Sequence, residues 1–138
     1  MTRMSPIDPA PGARARFVLH DHYASSHHFD LRLEGGGTLW SWAVPKGMPT
    51  DPSENRLAVR VDDHDLDHID FVDPTPVEGV DGAIAKSIAD TGTYTAVRSG
   101  PKKLVFDLDG RQGLARYALI HTGGTSWILH LMTLPDSS

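Results

Sequence analysis

Six of the eight histidines fall into two groups, His20, His22, His27 and His28 in one and His64 and His68 in the other. Beside the first group, His28, Asp30 and Arg32 alternate with Phe29, Leu31 and Leu33. In an extended chain successive side chains point to opposite faces, so His28, Asp30 and Arg32 share one face and the three apolar residues share the other. Neighbours on a face lie about 6.6 Å apart along the strand, near enough for two side chains to meet at one ion. His22 precedes His28 across Ser25-Ser26, where a turn would fold it back. Two imidazoles and a carboxylate make a metal site that keeps positions open for water or substrate. Arg32 adds a planar fork for phosphate or carboxylate. The same residues also suit a plain hydrogen-bonded surface pair, and no spacing in the chain brings His64 near His28. At this level both readings stand.

Short strands must hold these side chains. Leu57, Val59 and Val61 alternate with Arg56, Ala58, Arg60 and Asp62; Leu104, Phe106 and Leu108 alternate with Val105, Asp107 and Asp109; Trp127 to Met132 ends the series. Turn residues separate the runs, among them Gly35-Gly36-Gly37, Pro45-Lys46-Gly47, Asp73-Pro74, Asp109-Gly110 and Gly123-Gly124. Period two over short runs predicts a mainly β chain, a small antiparallel β-barrel with short irregular or helical connections. Gly82 to Ala89 fits one helical turn or another strand, and its periodicity does not decide. A length of 138 residues suits one domain. We expect residues 1–12 to be a flexible lead-in, 13–134 the domain, and 135–138 a tail.

Composition removes whole classes of function. The absence of cysteine excludes disulfides, zinc ribbons, iron–sulfur clusters and thiol nucleophiles, and agrees with a cytoplasmic protein. No apolar run approaches the ~20 residues that span a bilayer, and Met1 to Pro11 carries prolines rather than the apolar core of a signal peptide. No Gly-x-Ser-x-Gly supports a serine nucleophile, and Gly35 to Gly37 is a hairpin turn without the Lys-Ser/Thr of a nucleotide loop. A net charge of −5 argues against coating a long duplex, though not against gripping one nucleic-acid end. Asp62, Asp63, Asp65, Asp67, Asp70 and Asp73 read as a solvated acidic loop.

Several motifs in order then carry a resemblance: His22-x5-His28-x-Asp30-x-Arg32-Leu33-Glu34, Ser41-Trp42-Ala43-Val44-Pro45-Lys46-Gly47, Asp51-Pro52, Arg56-Leu57-Ala58-Val59 and Asp62-Asp63-His64-x-Leu66. Together they resemble the 3′-phosphoesterase domain of bacterial DNA ligase D over residues 17 to 72, with a weaker match through Trp127-Ile128-Leu129. The resemblance implies a small β-barrel that removes ribonucleotides and phosphates from DNA 3′ ends with manganese, zinc or cobalt being alternative ions. It implies His22, His28 and Asp30 as metal ligands, and Arg32, His64 and His68 as catalytic residues. Arg32 and His64, with Lys46 and Arg56, would contact phosphate. The implied partner is a DNA or RNA–DNA 3′ end, with a separate ligase or polymerase as a candidate companion and no membrane. This reading expects a freestanding module.

Two departures stand out. The family's tyrosine four residues after the catalytic histidine is His68 here, and its Gly-Glu-Tyr-Gly-x-Gly loop is replaced by Glu78-Gly79-Val80-Asp81-Gly82-Ala83. They keep a non-catalytic DNA-end-binding module in view. A cupin-like non-haem iron oxygenase is the other alternative, since two histidines and a carboxylate also describe its metal triad. The basic residues Arg32, Lys46 and Arg56 favour phosphate chemistry over oxygen chemistry.

Overall fold

The computed structural model describes residues 3–133, so the expected tail at 135–138 lies outside the described residues. Alternating apolar and polar residues fold into two antiparallel meanders. The first comprises β1 (Arg14–Tyr23), β2 (His27–Gly35), β3 (Thr38–Val44) and β4 (Asn55–His64). A 3₁₀ turn at Leu66–Asp70 and a short β5 (Asp73–Pro76) lead to the second, β6 (Ile84–Ser99), β7 (Lys103–Gly110), β8 (Gly113–Gly123) and β9 (Ser126–Met132). Pairing of β4 with β9 joins the meanders, and pairing of β1 with β6 closes an 8-stranded barrel. β5 stays outside the ring, paired with the start of β6. The expectation of a mainly β antiparallel barrel with short helical connections holds. The undecided stretch at Gly82 to Ala89 enters β6.

One face of each strand fills the barrel. Phe17, Leu31, Leu33, Trp42, Phe106, Leu119 and Leu129 are fully buried there, with Trp42 edge-on to Trp127 at 5.8 Å. Gly35 marks the β2–β3 corner, where a Cβ would lie 2.1 Å from the Trp40 ring, and Gly36 and Gly37 turn the chain with φ of 58° and 78°. Filling the interior with the odd-numbered residues of β2 sends Asp30 and Arg32 outward. Both are nevertheless buried. The 3₁₀ turn and Phe71 supply part of their cover, as His20 reaches the Phe71 carbonyl.

Residues 3–12 of the stretch expected to be a flexible lead-in contain no strand but are tied to the barrel. Ser5 donates from N–H and Oγ to Asp63 Oδ2 (2.9 and 2.6 Å), Trp40 Nε1 donates to Ser5 Oγ (3.0 Å), and Gly12 N–H reaches the Ala96 carbonyl (2.7 Å). Asp63 also accepts from Arg60 (2.6 Å), whose guanidinium lies 5.4 Å over the Trp42 ring. Asp63 is therefore not part of a solvated acidic loop: buried Arg60 needs a buried counter-charge. Among the described residues no helix is long and apolar enough to cross a membrane.

Candidate functional site

The β1–β2 hairpin sets the first cluster. His22 pairs with His28 and His20 with Asp30, so all four side chains share the outer face. Ligand atoms of His22, His28 and Asp30 lie within 4.8 Å of one another, and no other trio of His, Cys, Asp or Glu among the described residues comes so close. His28 directs Nδ1 to the Ser26 carbonyl (3.1 Å), which accepts, so that nitrogen carries the proton. Its Nε2 lies 3.3 Å from Asp30 Oδ1. His22 Nδ1 is 3.0 Å from the other oxygen, Oδ2, so two imidazoles converge on one buried carboxylate. This donor set fits a divalent ion. His27 is not part of it; it turns to Asp21 (2.6 Å) and stacks on Tyr23.

Arg32 is oriented by three bonds. Its Nη2 donates to Asp30 Oδ2 (3.2 Å), Nη1 to Ser41 Oγ (2.9 Å) and Nε to His20 Nδ1 (3.2 Å). His20 in turn donates Nε2–H to the Phe71 carbonyl (2.9 Å), which fixes its tautomer. Burial, then the Arg32 charge, pushes the His20 pKa down to about 4, so the ring stays neutral at neutral pH.

His64 and His68 join this face from β4 and the 3₁₀ turn. Their rings stack at 4.6 Å, and His68 stacks on Phe71 at 4.7 Å and meets His20 edge-on at 5.3 Å. Burial lowers both pKa values, with Arg32 and Lys86 adding charge repulsion, and His68 falls to about 3. Both rings are neutral hydrogen-bonding groups near pH 7.

The topology therefore brings together His22, His28, Asp30, Arg32, His64 and His68. It does not bring Lys46 and Arg56 into the cluster. They line a neighbouring concavity with Pro45, Asn55 and Leu57, and Arg56 pairs with Glu54 at 2.7 Å. The register explains this: Trp42 opposes Arg60 while Ala43 opposes Val59, so Arg56 alternates onto the face of Ala58 and Arg60, away from Asp30. Sequence reasoning passed over His20 and Lys86. His20 could have been found by its place two residues before His22 on the same strand face. Lys86 had no such signal, because only closure of β6 onto β1 sets it opposite His22.

A closed β-barrel with a buried arginine beside a His–His–Asp trio is a scaffold suited to handling phosphate. Residues 20–121 match the DNA ligase D 3′-phosphoesterase domain, and the chain belongs to that family. It is 39% identical over 126 residues to the multifunctional non-homologous end joining DNA repair protein LigD of Mycobacterium tuberculosis strain H37Rv, covering 88% of this chain and 16% of that protein. The corresponding proteins of Mycolicibacterium smegmatis and Pseudomonas aeruginosa are 36% identical over 135 residues and 46% identical over 112. These matches cover 90% and 78% of this chain, and 18% and 13% of the relatives. The chain thus spans less than a fifth of the length of these relatives. Membership implies a phosphoesterase acting in DNA end processing.

Proposed function

We propose that the protein is a metal-dependent 3′-end-healing phosphoesterase that removes terminal ribonucleotides and 3′-phosphates from DNA. The observation that carries this reading is the Arg32 guanidinium, buried and anchored by Asp30, Ser41 and His20 beside the His22–His28–Asp30 trio. Three of its five N–H groups are committed, which leaves one on each terminal nitrogen for phosphoryl oxygens. In this reading His22, His28 and Asp30 hold a divalent ion, manganese being the first choice and zinc or cobalt fitting the same donors. When bound, that ion supplies Lewis acidity to a phosphoryl oxygen and acidifies water at neutral pH.

Arg32 then orients the phosphate and offsets charge that builds on its oxygens. His64 and His68, neutral at pH 7, act as hydrogen-bond donors to the same group. Lys46 and Arg56, at the barrel end that also carries His28, serve the nucleotide next to the terminal one. With a net charge of −5, a long polyanion is not held along the surface, so action is confined to ends.

The test uses primer–templates ending in a single ribonucleotide or a 3′-phosphate, beside a closed circular DNA, with and without manganese. Manganese-dependent product from either primer and an intact circle are expected. Cleavage of the circle, or no product from both primers, overturns the reading. Retention of primers without turnover points instead to an end-binding module.

A further inference from the structure

Lys86 is a buried lysine that touches no carboxylate among the described residues. It sits on β6 between His22 of β1 and Asp73 of β5, its register partners, and is 8% exposed. Among the described residues it makes no ion pair within 4.0 Å. Its Nζ lies 3.2 Å from His68 Nε2 and 5.6 Å from the Phe71 ring centroid. Burial, then the Arg32 charge, pushes its pKa down, and Asp30 and Asp73 oppose this only from beyond ion-pair distance, so the charged form is costly unless a ligand offsets it.

The contact to His68 is informative. An ammonium only donates, so His68 Nε2 accepts and Nδ1–H is the donor left to that ring. Two N–H groups of Lys86 remain after this bond. Its charge reaches His20, His22, His64 and His68, and Arg32 acts on the same rings except His22. Arg32 and Lys86 thus face one polar patch whose buried anion is Asp30, with Asp73 acting on Lys86 from the β5 edge.

We propose that Lys86 is a further phosphate-contacting residue and that, with Arg32, it selects a terminal phosphomonoester over an internal-type phosphodiester. The proposal rests on the phosphoesterase reading above. A phosphomonoester carries about −1.5 to −2 charges at pH 7, against about −1 for a diester. A second cation gains more from the first than from the second, and Lys86 supplies it without a carboxylate in ion-pair contact among the described residues.

The experiment compares the parent with Lys86→Gln, Lys86→Met and Lys86→Arg. Glutamine keeps a donor for His68 and removes the charge; arginine keeps the charge. Steady-state kcat/KM is measured on 3′-phosphate and 3′-ribonucleotide primers, and inorganic phosphate is titrated against the thermal midpoint of the metal-loaded protein. Lys86→Gln and Lys86→Met are expected to lose roughly 10- to 100-fold on the 3′-phosphate and less than about fivefold on the ribonucleotide, with Lys86→Arg restoring the ratio. Phosphate should raise the midpoint of the parent and not of Lys86→Gln. Parallel loss on both substrates, or an unchanged ratio, overturns the selection proposal. A parent that is inactive on both primers sinks the phosphoesterase reading instead. The phosphate titration then still decides Lys86: equal shifts in parent and Lys86→Gln overturn it, and a shift confined to the parent supports it.

Discussion

Acid should unfold this protein through His20 before its carboxylates are protonated. The ring is fully buried, accepts from Arg32 on Nδ1 and donates to the Phe71 carbonyl from Nε2, so a second proton would have to face the guanidinium. Its folded pKa is about 4, against about 6.5 in an unfolded chain. Below pH 6.5 the unfolded state takes up a proton that the folded state refuses until about pH 4. This share of stability is therefore complete above pH 6.5 and is lost as pH falls from 6.5 to 4. The full shift corresponds to at most about 3 kcal/mol, and to about 2 kcal/mol after allowing for solvent screening. In a domain of this size that is a drop of roughly 5–10 °C in midpoint. His22, His64 and His68 shift in the same direction and steepen the slope. Urea unfolding in chelator at pH 7.5, 6.0, 5.0 and 4.5 would measure it, beside His20→Gln, which keeps a donor and an acceptor but does not titrate. The parent should lose about 2 kcal/mol more than the variant across the window. Parallel curves would refute the reasoning.

Arg32→Lys keeps a charge but cannot reach Asp30, Ser41 and His20 together, so buried groups lose partners. We expect a loss of about 2–4 kcal/mol in urea melts and at least a ~100-fold fall in single-turnover rate; a variant near parental in both would show that the buried fork is needed neither for the fold nor for the phosphate. Manganese, zinc or cobalt at about 100 times its dissociation constant should add about 2.7 kcal/mol of stability, reversed by chelator and absent in Asp30→Asn. Burial and then Lys86 lower the His22 pKa, so its proton competition sets in below pH 6.5 rather than at it. Titrating the metal-induced midpoint shift against pH checks this, and an Asp30→Asn protein that responds like the parent would rule the trio out.

Much of the first meander was legible because one barrel face is apolar and the other is not. Phe29, Leu31 and Leu33 announced β2, and the same alternation set His28, Asp30 and Arg32 on a common face. The turn at Ser25-Ser26 brought His22 opposite His28 as expected. The start of β6 was not legible: Ile84, Lys86 and Ile88 face the site while their neighbours are half-buried too, which blurs the two-residue period. Nor could local pattern reveal closure of β1 onto β6, a pairing between distant segments. Arg56 is a different case. Its alternation with Leu57 was visible, but not that its strand sets it on the face of Ala58 and Arg60, beside Lys46 rather than Asp30.

The seam between β1 and β6 also dictates an order of assembly. His22, His28 and Asp30 belong to a single hairpin, whose short loop costs little entropy to close. Lys86 joins them only when β6 has been made and has paired along β1. Non-local pairing of this kind is slow, and until it is complete both strands present unpaired edges open to another chain. In the proposed metal-bound form, a cation held by His22, His28 and Asp30 would pin β1 to β2 before the other edge of β1 finds β6, so metal present during folding would shorten that exposed stage.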